Sequence, residues 1–126
     1  MNVVRGIRGA TTVTENSEQE ILRETKKLVL KMVEENHVNP TDISHVLFSL
    51  TDDLNACFPA KVAREMPGWT YVPVMCMREV DVPNSLPKCI RIMMTVNTTK
   101  PQDEIHHVFL NDAVVLRPDL VQKEGD

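Results

Sequence analysis

Residues 88–97, KCIRIMMTVN, constrain the fold more than any other part of the chain. Side chains alternate across a strand, and here Ile90, Ile92, Met94 and Val96 fall on one side, all apolar. The pattern predicts a strand with one wholly buried face. Arg91 falls on the other face, with Cys89, Met93, Thr95 and Asn97. A guanidinium in mid-strand costs free energy if it is buried without an anion. It is most simply a surface arginine on a solvent-facing strand; the alternative is a cation held for a ligand.

Around this strand the chain alternates between two periodicities. Strands are predicted at 2–8, 43–50, 69–77, 88–97, 106–110 and 113–116, from β-branched and apolar runs bounded by breakers. Gly9-Ala10-Thr11-Thr12 reads as a loop. A long helix is predicted from a cap at Asn16 or Ser17, with Glu20 completing a capping box, to near His37. Its apolar set is Ile21, Leu22, Leu28, Val29, Met32 and Val33. A short helix should open at Phe58-Pro59, where proline suits a first turn, and stop at Met66-Pro67-Gly68. For 126 residues this predicts a single domain, 1–126, of α+β class: a mixed β-sheet with helices on one face. Residues 118–126 are polar and are expected to form a mobile tail.

Composition narrows the function by exclusion. A formal charge of −4 opposes a phosphate backbone as the main partner, and aromatics at 4% are too few for a base-stacking platform. Cys57, Cys76 and Cys89 show no C-x-x-C spacing. His106 and His107 are adjacent, so on a strand they would point to opposite faces, and His37 and His45 lack ligand partners at useful spacing. Gly6 and Gly9 form no phosphate-binding loop. No apolar run is long enough for a leader or a membrane span. The expectation is a soluble, cytoplasmic protein with no metal, no cofactor, no nucleic acid and no membrane partner.

The polar candidates are few. Arg8 follows the first strand, Lys61 and Arg64 share a face of the short helix, and Glu79 lies at the end of YVPVMCM. Singly, each is most simply a solvated charge. Together with Arg91 they offer several cations and one carboxylate, a set that suits a small dianion bearing a hydroxyl. Cys76 is most simply an inert, buried thiol.

Five stretches give these residues a further meaning: RGIRGATTV at 5–13, FPAKVARE at 58–65, YVPVMCMREVDVP at 71–83, KCIRIMMTVNT at 88–98 and VVLRPDL at 114–120. In this order and spacing the chain resembles the monofunctional AroH-type chorismate mutases, the Bacillus-like class rather than the all-helical one. The likeness runs from about residue 4 to 120. It implies an isomerase that converts chorismate to prephenate on the way to phenylalanine and tyrosine, without a cofactor. It also implies a homotrimer built as a pseudo-α/β-barrel, with sites in the clefts between subunits. By position, Arg8, Glu79 and Arg91 match the family's central catalytic residues. Phe58, Lys61, Arg64, Met75, Cys76, Leu116 and Arg117 match residues that line or guard the pocket. Phe109 stands where the family commonly has a tyrosine, so a phenolic donor to a substrate carboxylate is missing. Two other classes fit the same scaffold: a non-catalytic sensor of a carboxylate metabolite, and a hydrolase of the trimeric imine-deaminase kind. Glu79 and Arg91 together favour the mutase.

Overall fold

The computed structural model describes residues 2–116; Arg117 and the expected tail at 118–126 lie outside the described residues. The chain runs β1 (Val3–Thr12), α1 (Glu18–Asn36), β2 (Ile43–Leu50), β3 (Val74–Arg78), β4 (Cys89–Thr98) and β5 (Val108–Phe109), with short 3-10 turns between them. The strands form one mixed sheet in the order β3-β2-β4-β1-β5. β4 is antiparallel to both β1 and β2, while β3 is parallel to β2 and β5 parallel to β1.

The predicted alternation in β4 holds. Ile90, Ile92, Met94 and Val96 are buried. They meet Ile7 of β1, Val46 and Phe48 of β2, and Leu28, Val29 and Met32 of α1 in two adjoining clusters, with Ile90 in the smaller one beside Val13, Ile21 and Leu54. The helix approaches β1 closely enough that a Cβ on Gly9 would overlap the sulfur of Met32 and meet Leu28 Cδ1 at 3.1 Å. Glycine is needed there for closeness, not for an unusual φ.

Five elements differ from the expectation. β1 continues through Gly9–Thr12, because it is paired on both sides, by β4 to Thr12 and by β5 at Gly9 and Ala10. β3 starts only at Val74; Trp69 and Val72 donate backbone N–H bonds to Met66 O and Trp69 O, which turns 66–72 rather than extending it. The predicted strand at 106–110 shortens to two residues, and that at 113–116 is a 3-10 turn, Asn111–Leu116. The short helix is also 3-10, over Pro59–Glu65.

The helix cap is half the predicted box. Ser17 Oγ accepts the Glu20 N–H at 3.1 Å. The Glu20 carboxylate does not return to Ser17; it accepts the N–H groups of Thr14 (2.7 Å) and Glu15 (3.0 Å), tying the β1–α1 connection down.

Candidate active site

Only one face of the sheet is covered by the helix. On the other, Arg8 lies opposite Met93, and Ala10 opposite Arg91, so the two arginines share a face as diagonal neighbours. Such positions put their Cβ atoms roughly 7–8 Å apart. Arg91 is half-buried, and its Nε is 3.1 Å from Glu79 Oε2. The N–H is not aimed along that line: Nε is shielded from solvent and makes no formed hydrogen bond. The contact is a charge pair at close range rather than a closed hydrogen bond. The other carboxylate oxygen, Glu79 Oε1, accepts the Val80 N–H at 2.9 Å, and the Glu79 N–H reaches Leu50 O at 2.8 Å. Glu79 is thereby fixed at the end of β3, facing a cation two strands away.

Both ends of the 79–88 loop are tied to the turn after β2. Arg78 Nε sits 3.0 Å from Asp52 Oδ1 at the entry. At the exit, Asp53 accepts the Lys88 N–H at 2.9 and 3.1 Å, and Thr51 Oγ1 accepts the Cys89 N–H at 3.0 Å. Lys88 takes φ 48 there, a conformation the Asp53 carboxylate holds in place. Burial pushes the Cys89 thiol up from its ordinary pKa, with the neighbouring Arg91 charge and hydrogen bond pulling the other way.

Arg8 has its guanidinium carbon 5.8 Å from the centroid of the Phe109 ring, within cation–π range. Its backbone N–H donates to His107 Nδ1 at 2.9 Å, just before β5 begins. Phe109 is buried against Ala10 and Ala113, with Leu86 and Leu116 at the edge of the cluster.

Phe58, Lys61, Arg64, Met75 and Cys76 gather elsewhere. They line an open cavity of ≈ 800 Å³ between the Pro59–Glu65 turn and β3, the free edge of the sheet. Lys61 Nζ is 3.2 Å from Glu18 Oε2. Cys76 is half-buried and lies opposite Phe48, which lies opposite Ile92. It therefore points to the helix side, while Arg91 points to the open side. Burial pushes its thiol up from the ordinary value.

The chain thus carries the predicted residues in two sets: Arg8, Glu79, Arg91, Phe109 and Leu116 in one, and Phe58, Lys61, Arg64, Met75 and Cys76 in the other. Sequence inspection singled out both sets but not their separation. It also passed over Thr51, Asp52, Asp53 and Asn111. The acidic Thr-Asp-Asp after a buried strand and the Asn-Asp after Phe109 were the available signals, and both resemble ordinary turns. The open face between the sets is apolar for a surface: Val4, Met75, Met77 and Met93 are exposed on it. Among the described residues, no cluster of His, Cys, Asp and Glu is placed to hold a metal ion, and no helix is long and apolar enough to cross a membrane.

The family model "Chorismate mutase type I" matches residues 4–120. A chorismate mutase AroH from Bacillus subtilis (strain 168) is 59% identical over 94% of this chain and 93% of its own length. Its counterpart from Thermus thermophilus is 47% identical over 94% of this chain and 97% of its own. The solved structure of a chorismate mutase from Clostridium thermocellum superposes with a TM-score of 0.85 at 53% identity, covering 88% of this chain and 98% of that one. A matched model across nearly the whole chain, close relatives and a shared sheet topology lead to one conclusion: the chain belongs to the type I chorismate mutase family.

Proposed function

We propose that this chorismate mutase carries out its isomerisation in a cleft between two subunits of a homotrimer, with Arg91 as the residue that lowers the barrier. The observation that carries the proposal is the fixed pair on the open face: a guanidinium held 3.1 Å from a carboxylate that a backbone N–H also grips. The separation of the two residue sets supports the cleft. A second copy laid on the open face would bring the Phe58–Lys61–Arg64–Cys76 set of one subunit to the Arg8–Glu79–Arg91 set of the other. The exposed methionines supply apolar surface for that contact.

Chorismate is a dicarboxylate with an enolpyruvyl ether and a ring hydroxyl. Its rearrangement breaks the C–O ether bond as a C–C bond forms, with no proton transferred and no covalent intermediate on the protein. Two tasks remain. The side arm must be held folded over the ring, which a pocket of fixed cations does by selecting the compact conformer. Arg8 grips one carboxylate, and Lys61 and Arg64 bring positive charge to the mouth. Arg117 would add to it from outside the described residues. The ether oxygen also gains negative charge as its bond breaks. Arg91, always protonated, meets that charge with donors already in place. Glu79 accepts a hydrogen bond from the ring hydroxyl and complements the electron-poor ring. Phe58, Met75, Cys76, Phe109 and Leu116 wall the cleft and exclude water.

Enzymic acceleration begins at roughly a million-fold, about 8 kcal/mol, more than conformer selection alone supplies. Arg91→Lys keeps the charge but loses the planar fork, so kcat should fall about 10²–10³-fold. Affinity for a ground-state analogue should change far less. A neutral side chain of the same shape should be nearly inactive in a folded protein. Following the loss of chorismate's ultraviolet absorbance, without added metal or cofactor, measures all of these. Equal losses in turnover and ground-state affinity would reduce Arg91 to a plain binding residue.

A further inference from the structure

We infer that Asn111 is a positioning residue for the mutase reaction: it pins the 3-10 turn Asn111–Leu116 and so sets one wall of the Arg8–Glu79–Arg91 site. This rests on the proposed cleft. The Asn111 amide nitrogen lies 3.1 Å from Thr11 Oγ1, 2.9 Å from Thr12 O and 3.1 Å from Glu24 Oε1. Two hydrogens serve three acceptors, one of them a carboxylate, so the amide is held from β1 and α1 at once. The Asp112 N–H adds a bond to Thr12 Oγ1 at 3.2 Å. Asn111 takes φ 54, a left-handed conformation that asparagine tolerates better than most residues. Thr11, Thr12 and Glu24 are buried, and the Glu24 carboxylate also meets Arg23 at 3.0 Å and Lys27 at 3.6 Å.

The pin reaches the site through packing. From Asn111 the turn carries Ala113 and Leu116 onto Ala10, Phe109 and Leu86. The Phe109 ring lies beneath the Arg8 guanidinium, and Leu86 belongs to the loop that starts at Glu79. The network therefore ties the carboxylate-gripping arginine and the loop of the catalytic carboxylate to one docked turn. None of residues 111–116 belongs to the main core beneath α1, so releasing the turn leaves that core intact.

Steady-state kinetics with chorismate on five variants of the full chain, with thermal melts beside them, test this. Asn111→Ala should raise KM about tenfold, the scale of a lost hydrogen bond to a charged group, with kcat within about twofold. Glu24→Ala should do the same. The double variant should be no worse than Asn111→Ala, because the contact that Glu24→Ala removes is already absent there. Glu24→Gln keeps an oxygen acceptor toward Asn111 and should restore a near-native KM. An unchanged KM in Asn111→Ala with a lowered melting temperature would make the network purely structural and overturn the inference, as would additive effects of the two alanines. Leu116→Ala separates the premises. If it leaves KM unchanged, the turn is not a wall of the site and the proposed cleft fails there. If it raises KM and Asn111→Ala does not, only the pin is wrong.

Discussion

Arg8 and Arg91 are chemically identical and share one face of the sheet, yet their surroundings divide the labour. Arg91 is set against a carboxylate, on a strand clamped by Thr51 and Asp53, while Arg8 lies over an aromatic ring. The ring is Phe109, at the position where the resemblance implies a tyrosine. Phe109→Tyr adds a phenolic donor beside Arg8, the arginine proposed to grip a substrate carboxylate. A hydrogen bond to a charged group contributes about 1.5–3 kcal/mol at most, and in the proposed site Arg8 would already supply part of it. A rise in kcat/KM of up to about tenfold is expected, read from the same absorbance assay; a fall would refute the missing-donor account. These residues were recognisable because their motifs are long and ordered. Asn111 was not: an Asn-Asp pair announces a turn in any sequence, and only the buried acceptors around it reveal a further use.

At the scale of elements, β4 was legible because four apolar side chains at every second position fit a buried strand face and little else. β1 was half legible. Gly9-Ala10 has weak strand propensity, and pairing on both edges overrides it, as context commonly does in sheets. The apolar Ala113–Leu116 stretch misled in the opposite sense, since a left-handed Asn111 starts a turn that apolarity alone does not forecast. Helix α1 brings its own test through Glu24. Burial pushes this carboxyl up, but hydrogen bonds from Asn111 and Arg23, with the charges of Lys27 and Arg23, outweigh burial and hold it below the ordinary 4.5. A lowered folded-state pKa contributes stability that is present above about pH 4.5 and lost as pH falls through the folded value. Glu24→Gln should therefore be less stable than the parent at neutral pH in urea denaturation. The two curves should converge in acid below the native carboxyl's titration. A gap that stays constant with pH would mean the carboxylate's charge contributes nothing.

For the whole molecule, the division of site residues into two sets has a direct experimental form. In the proposed trimer, Arg91→Ala and Arg64→Glu would damage different halves of a shared cleft. Each homogeneous assembly should be impaired, but subunits mixed, dissociated and reassembled at random should regain about a quarter of the intact sites. Recovery of none would place both residues in one subunit's site. Met93→Asp, at the centre of the open face, should shift sedimentation toward the single subunit and abolish turnover together. The sequence could nominate the candidate residues of both sets but not their division. Whether Cys76 and Arg91 point to the same side depends on the register linking β3, β2 and β4, which no local pattern encodes.

The exposed apolar side chains of that open face are mostly thioethers, at Met75, Met77 and Met93. Such side chains mould themselves to an irregular partner surface, but each sulfur can take up an oxygen atom and become a polar, chiral sulfoxide. In the proposed trimer the sulfurs are covered; on a newly released chain they are not. Peroxide stress would then injure the unassembled pool first, and a reductase specific for methionine sulfoxide would set how quickly fresh chains regain the ability to join.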